Sequence, residues 1–218
     1  MYKVDLHTHS VASSDGGISP EHYAKALETE ALDFIAITDH NRVDFALGLS
    51  KALGEKIIVG EEIMTTEGEL VGLYLKELVK PGRTAFETAH AIRNQGGLVY
   101  VPHPFETVRH GISRESLEAI TDLVDIVEVH NGRAWLQNFS PQAAAWAKSH
   151  GKSGASSSDA HGYKGLGYSY SVLTEHPARG SLTEALRITN LAHRRAPIYT
   201  LLYPKLNRFK KMLGSTHD

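Results

Sequence analysis

The sequence predicts an α/β domain built on a parallel sheet, with its functional side chains gathered at the C-terminal ends of the strands. Three observations carry this expectation. Short apolar runs at residues 32–38, 56–60 and 98–102 have the length and composition of strands buried on both faces. Segments with helix start and stop signals alternate with them, which is the rhythm of strand–helix–strand units. Finally, several of the 13 histidines and 25 acidic residues in this 218-residue chain fall at the downstream ends of those runs, where parallel α/β folds place their chemistry.

Taken in order, residues 2–6 form the first strand and lead into Asp5-Leu6-His7-Thr8-His9-Ser10. Strand side chains alternate, so His7 and His9 project to one side and can chelate an ion between them. By itself the pair reads better as two partly exposed histidines without a ligand, and only the later motifs favour a metal site. Residues 11–17 are a polar loop in which Asp15 fits a turn. Ser19-Pro20-Glu21 reads as a helix start, giving a helix over 20–30 with His22 facing solvent. The strand at 32–38 delivers Thr38-Asp39-His40-Asn41, and a helix over 43–53 ends before Gly54. The strand at 56–60 closes on Glu61-Glu62, and residues 63–75 read as a hairpin around Glu67-Gly68 with Glu69 opening the return strand.

A helix over 84–95 stops at Gly96-Gly97, and the strand at 98–102 ends at His103-Pro104, with Arg109 six residues beyond the histidine. The strand at 125–129 finishes in Glu128-Val129-His130-Asn131-Gly132-Arg133. Trp146, among alanines in a helix over 141–149, suits close packing on the sheet. Ser158-Asp159-Ala160-His161 repeats the two-residue spacing of the opening motif. A strand at 168–173 and a helix over 181–191 complete a barrel domain of residues 1–192.

Residues 193–218 form a basic tail. It carries six Lys/Arg and one acid, which leaves 17 basic against 24 acidic residues in the body. Leu206, Phe209 and Leu213 recur at i, i+3 and i+7, so a short amphipathic helix is expected to dock its apolar face on the barrel. The absence of cysteine leaves nitrogen and oxygen ligands for any metal. The acidic body suits cation binding and argues against stable duplex nucleic-acid binding. No apolar run is long enough to cross a bilayer, and a cytoplasmic location is the expectation.

His7, His9, His40, His103 and His161 all fall at predicted strand ends, with Glu62, Asp159 and, just past the first strand, Asp15. If the strands form a barrel, these distant residues converge on one mouth. Imidazoles and carboxylates there suit Zn²⁺, Mn²⁺ or Fe²⁺, and bridging acids allow several ions about 3.5–4 Å apart.

At this point the motifs Asp5-Leu6-His7-Thr8-His9-Ser10, Ser14-Asp15-Gly16, Thr38-Asp39-His40, Gly60-Glu61-Glu62, His103-Pro104 and Ser158-Asp159-Ala160-His161, in this order, resemble the polymerase and histidinol phosphatase (PHP) family of metal-dependent phosphoesterases, above all its small stand-alone bacterial members. The resemblance implies a distorted (β/α)7 TIM-like barrel holding up to three divalent ions. It implies one ion on His7, His9, Glu62 and Asp159, a second on Glu62 and His103, and a third on Asp15, His40 and His161. Glu69 stands where many relatives place a histidine, and as a ligand it would shift the second site toward Mn²⁺ or Fe²⁺. Arg109 is expected to clamp phosphate oxygens, with Arg133 and His130 as further substrate contacts. Asp5 and Asp39 are expected to orient ligand imidazoles, Asp39 joining Arg109 and His130 among the catalytic side chains.

The activity so implied is hydrolysis of a small phosphate ester, a phosphomonoester or a small nucleotide or oligonucleotide, by attack of a hydroxide held between ions. Gly-x-Ser-x-Gly is absent, so a serine nucleophile has no elbow to sit on. Two alternatives remain: an amidohydrolase-type C–N or C–O hydrolase on the same metal site, and a non-catalytic module stabilised by its metals.

Overall fold

The computed structural model describes residues 1–187 and 190–214. β1 (Tyr2–Asp5) leads to α1 (Pro20–Glu28), which starts on a reciprocal cap: Ser19 Oγ accepts from the His22 amide, and the His22 ring accepts from the Ser19 amide. His22 is therefore a capping residue stacked on Tyr163, with ring centroids 4.8 Å apart, rather than a free solvent-facing group. β2 (Phe34–Ile37), α2 (Asp44–Leu53), β3 (Ile57–Thr65) and β4 (Gly68–Leu73) follow. α3 (Ala85–Asn94) starts on a second capping box, Thr84 with Glu87, a feature worth about 1 kcal/mol. β5 (Leu98–Val101), α4 (Arg114–Ala119), β6 (Ile126–Asn131), α5 (Ser140–Ser149), β7 (Ser153–Ser157), β8 (Ser169–Leu173), α6 (Leu182–Arg187), β9 (Asn190–His193) and α7 (Tyr203–Met212) complete the described chain.

The strands form one sheet in the order β7-β6-β5-β4-β3-β2-β1-β8-β9. β1, β2 and β3 are parallel neighbours, as are β5, β6 and β7, while β4 runs against β3 and β5 and β8 runs against β1. The sheet curls until its two ends nearly meet. Ser156 of β7 donates from its amide to Ser171 Oγ of β8 at 3.0 Å and from its hydroxyl to the Ala192 carbonyl of β9 at 2.7 Å. The expected α/β barrel-like fold is thus present, with two antiparallel strands set into the parallel series.

One part of the core fills the barrel interior with Val4, Leu6, Ala36, Val71, Tyr100 and Ile126. Trp146 packs between α5 and the sheet with Val127 and Ala143, 2 % exposed, as its alanine surroundings predict.

Three elements differ from expectation. β3 does not stop at Gly60 but carries Glu61 and Glu62 on to Thr65, because the antiparallel ladder with β4 holds that stretch extended. Of the helix expected over 181–191, Leu182–Arg187 form α6 and residues 188–189 lie outside the described residues, while Leu191 lies in β9, paired with Ser171. The boundary expected after residue 192 therefore falls within a strand.

The third difference concerns α7. Its apolar face was expected to dock, yet Leu206, Phe209 and Leu213 are 47 %, 54 % and 64 % exposed. The opposite face makes the contact, because the barrel surface it meets consists of loop carbonyls and a carboxylate, which attract its Asn, Arg and Lys donors. Among the described residues, no helix is long and apolar enough to cross a membrane.

Candidate metal centre

The segments that follow β1, β2, β5 and β7, together with β3 and β4, contribute to a single polar cluster. The segment after β1 presents His7 and His9 to the same side, their Nε2 atoms 3.1 Å apart. Alternation along β3 turns Glu62 inward and Glu61 outward, where Glu61 accepts from the Val79 amide at 2.8 Å. Glu62 is the hub. Its Oε2 lies 3.4 Å from His7 Nε2, 3.3 Å from His9 Nε2 and 3.2 Å from His40 Nδ1, and its Oε1 lies 3.2 Å from His103 Nε2.

Asp159, after β7, sits 3.4 Å from His9 Nε2 and 3.3 Å from His161 Nδ1. Asp15 faces His40 Nε2 at 3.5 Å and His161 Nε2 at 3.4 Å. Glu69, on β4, reaches His40 Nδ1 at 3.4 Å. His103 and Asp159 both occupy positive φ, 24° and 51°, a backbone that is uncommon outside glycine but that Asp and His tolerate better than most residues.

All nine expected ligands come together. Their donor atoms form four overlapping groups, each within 4.8 Å: His9, Asp15, His40 and His161; His7, Glu62 and His103; His7, His9 and Asp159; and His40, Glu62 and Glu69. His40 is the most open of the nine, with its side chain 23 % exposed.

Burying so many acids and imidazoles together pulls their protonation apart. Burial opposes the charged His40, but the carboxylates of Glu62, Asp15 and Glu69 outweigh it and push its pKa up to about 10. His161 touches the same Asp15 yet falls to about 3, through burial and the positive charges of His9 and Arg133. Glu69, buried beside the charge of Glu62, rises to about 9. Glu62 and Asp159 stay well below the ordinary carboxylate range, held against burial chiefly by His7 and Arg133 respectively. Protonated acids and opposed histidines in one cluster are an arrangement that cations relieve.

The donors fit divalent ions. Two imidazole nitrogens facing each other at 3.1 Å cannot both carry protons, and a shared carboxylate lies within 3.4 Å of both. With only nitrogen and oxygen donors present, the set suits Mn²⁺, Zn²⁺ or Fe²⁺.

The surrounding residues hold the cluster in place. Glu128, 2 % exposed, takes His7 Nδ1 at 3.2 Å, the Tyr100 hydroxyl at 2.8 Å, the His103 amide at 2.6 Å and Asn131 Nδ2 at 2.8 Å. It does the orienting expected of Asp5 and Asp39. Those two grip backbone instead: Asp39 accepts from the Ser10 amide and hydroxyl at 2.7 and 2.5 Å, and Asp5 from the Ser158 amide at 3.0 Å.

Arg109 Nη1 donates to Asp159 Oδ2 at 2.6 Å and to Asn131 Oδ1 at 2.7 Å, while Glu106 takes its other nitrogens. Arg133 approaches Asp159 at 3.4 Å and the His161 ring at 3.2 Å. Arg208 of α7 reaches Asp15 Oδ2 at 2.7 Å. A cavity of about 430 Å³ opens among them, lined by Asp15, His40, Glu62, Arg109, Arg133 and Arg208 among others.

His130 does not line this cavity. A register shift in β6 between Glu128 and His130 turns its ring onto His193, with centroids 4.6 Å apart. Sequence reasoning passed over Glu128, Glu106 and Asn131. The one available signal was alternation: Glu128 ends an inward-facing series on a buried strand. Nothing in the sequence pointed to Asn207 or Arg208.

A curled α/β sheet with a buried nitrogen and oxygen donor cluster at its strand ends defines a metal-binding barrel protein. The chain belongs to the PHP domain family, whose profile matches residues 5–163, and a PHP-associated profile matches residues 139–189. Two uncharacterized proteins of Methanocaldococcus jannaschii are similar to it. MJ1587 is 35 % identical over 59 % of this chain and 81 % of its own, and MJ0417 is 32 % identical over 79 % and 71 %.

Among solved structures, a two-domain Bacteroides vulgatus protein described as containing a predicted PHP-like metal-dependent phosphoesterase shares the fold with TM-score 0.68 and 21 % identity. The match covers 88 % of this chain and 65 % of that one. The lesion-specific endonuclease PfuEndoQ of Pyrococcus furiosus shares it with TM-score 0.62 and 16 % identity, over 87 % and 57 %. At these identities the likeness concerns the fold.

Proposed function

We propose that the protein is a metal-dependent phosphoesterase acting on a small phosphorylated substrate, with His7, His9, Asp15, His40, Glu62, Glu69, His103, Asp159 and His161 holding up to three divalent ions. The observation that carries this reading is the pairing of that nitrogen and carboxylate cluster with three arginines lining one cavity. Carboxylates recruit cations, and arginine forks match the oxygens of a phosphoryl group. An amide or lactone hydrolase needs the first, and would use the guanidinium groups only for a substrate that carries its own anionic group.

When bound, the ions supply Lewis acidity toward the phosphoryl oxygens and activate water. The chain's own residues do the rest. Glu62 spans two donor groups and fixes their spacing, and Glu128 holds the His7 and His103 segments in register. Arg109, anchored by Glu106, keeps its Nη1 on Asp159 and Asn131, and with Asp159 engaged on an ion that edge would turn to a non-bridging phosphoryl oxygen. Arg133 backs it from the same side.

The test is metal content by elemental analysis, followed by a hydrolysis screen of phosphomonoesters, nucleotides, short oligonucleotides, abasic-site duplex DNA, amides and lactones with added Mn²⁺. Wild type is expected to cleave phosphate esters of a size that fits the cavity, and His7→Ala and Arg109→Ala to lose that activity. Turnover of amides or lactones alone, or of no compound by the metal-loaded protein, would overturn the reading. The lesion DNA is included because PfuEndoQ has the same fold.

A further inference from the structure

The loops bearing Asp15 and His161 lie far apart in sequence, and α7 is the element that joins them. Asn207, 5 % exposed, donates both hydrogens of its Nδ2 to backbone carbonyls, one to Asp15 and one to His161, each at 2.8 Å. Two neighbours on the helix reinforce the grip: Arg208 reaches the Asp15 carboxylate at 2.7 Å, and Lys211 Nζ donates to the carbonyls of Ser13 and Gly16. The barrel makes room for this approach. A Cβ on Gly17 would stand 2.8 Å from Asn207 Nδ2, and one on Gly162 would stand 2.7 Å from the Tyr203 ring. A missing side chain beside each of the two loops is thus matched by a helix residue packed into the space.

Asp15 and His161 belong to one donor group with His9 and His40. His9 follows the first strand directly and His40 the second, so sheet pairing helps fix them. Asp15 instead lies in a loop, ten residues past the end of β1. We infer that Asn207 is a positioning residue for the ion held by Asp15 and His161, and that α7 is an integral part of the metal centre rather than an appended tail. The inference rests on the reading that the cluster binds divalent ions. Loss of the amide would release two carbonyls and let the two loops drift apart, weakening one ion and sparing those held by Glu62, His103 and Asp159.

Full-length protein stripped with a chelator and titrated with Mn²⁺ tests this, with bound equivalents counted by elemental analysis and retention followed against competing chelator. Asn207→Ala is expected to loosen one ion by about 10–100-fold, the usual effect of removing a group that orients a ligand, while the remaining ions bind as in wild type. Gly17→Ala, which pushes Asn207 away without altering it, should reproduce that selective loss and serves if Asn207→Ala does not fold. Leu206→Ala, on the exposed face of the same helix, should bind every ion as wild type does.

Unchanged ion retention in both Asn207→Ala and Gly17→Ala would overturn the inference and leave the phosphoesterase reading standing. So would a lower melting temperature of the metal-free protein with all ion affinities intact, since that assigns α7 a purely structural role. Wild type that binds no Mn²⁺ would overturn both.

Discussion

The Nε2 atoms of His7 and His9 face each other at 3.1 Å, and both lie within 3.4 Å of the same Glu62 oxygen. Two lone pairs and a carboxylate converging on one point are stable only with a proton or a cation among them. Either single substitution, His7→Ala or His9→Ala, is therefore expected to remove at least one bound ion and to lower hydrolysis by about 100-fold or more. Elemental analysis alongside steady-state rates checks this, and a variant with full metal content would contradict it.

Glu62 sits in two of the donor groups, with one oxygen toward His103 and the other toward His7, His9 and His40. Glu62→Gln keeps the shape and removes the charge, so it should cost more than one ion where a single-site ligand such as His103 costs one. Metal stoichiometry of Glu62→Gln against His103→Ala distinguishes the cases.

Arg109 is the counter-charge of two buried acids, Asp159 and Glu106. Arg109→Ala leaves Glu106 without its charged partner and Asp159 with the more distant Arg133 alone among the arginines, which should destabilise the metal-free protein by about 3–5 kcal/mol. Loading with Mn²⁺ supplies positive charge beside Asp159 and should recover part of that loss. Denaturant unfolding with and without metal reads the difference directly; an equal deficit in both states would show that Asp159 does not meet the cation.

Glu69 offers a hard oxygen beside His40. Exchanging it for the softer donor in Glu69→His should move the preference of that site from Mn²⁺ toward Zn²⁺. Competition between the two metals, measured on wild type and variant, tests it, and an unchanged ratio would remove Glu69 from the ligand set.

His130 gives a pH-dependent term away from the centre. Burial and the neighbouring His193 lower its pKa to about 4 from the ordinary 6.5. Between those values the unfolded chain takes up a proton that the folded chain refuses, so His130 costs stability as pH falls from 6.5 toward 4 and costs nothing above 6.5. In excess chelator, the melting temperature of wild type should fall more steeply across that interval than that of His130→Asn. Parallel curves would show that the histidine titrates normally.

The centre was legible in the sequence because its logic is local. A strand end places the next polar residue at the mouth, and two-residue spacing keeps His7 with His9 and Asp159 with His161 on common sides. The same alternation separates Glu62 from Glu61. What escaped depends on tertiary contact. Glu128 looks like any acid on a strand until Tyr100, His7 and His103 close around it. β9, with the sequence Asn-Leu-Ala-His, has too little pattern to be told from the end of a helix. For α7 the spacing of Leu206, Phe209 and Leu213 gave the helix correctly and its docking face wrongly, because hydrophobic periodicity says nothing of a surface made of carbonyl groups.

The barrel is sealed between Ser156, Ser171 and Ala192 by hydroxyl groups in place of a continuous ladder. Such a seam can part without unzipping any strand pair, and it should be among the first places in the wall to exchange its amide hydrogens. Asp159 follows β7 by two residues, so each opening slackens one corner of the donor set. Ser156→Ala, which removes one of those hydroxyls, is accordingly expected to loosen the wall beside Asp159 without altering any residue of the donor set.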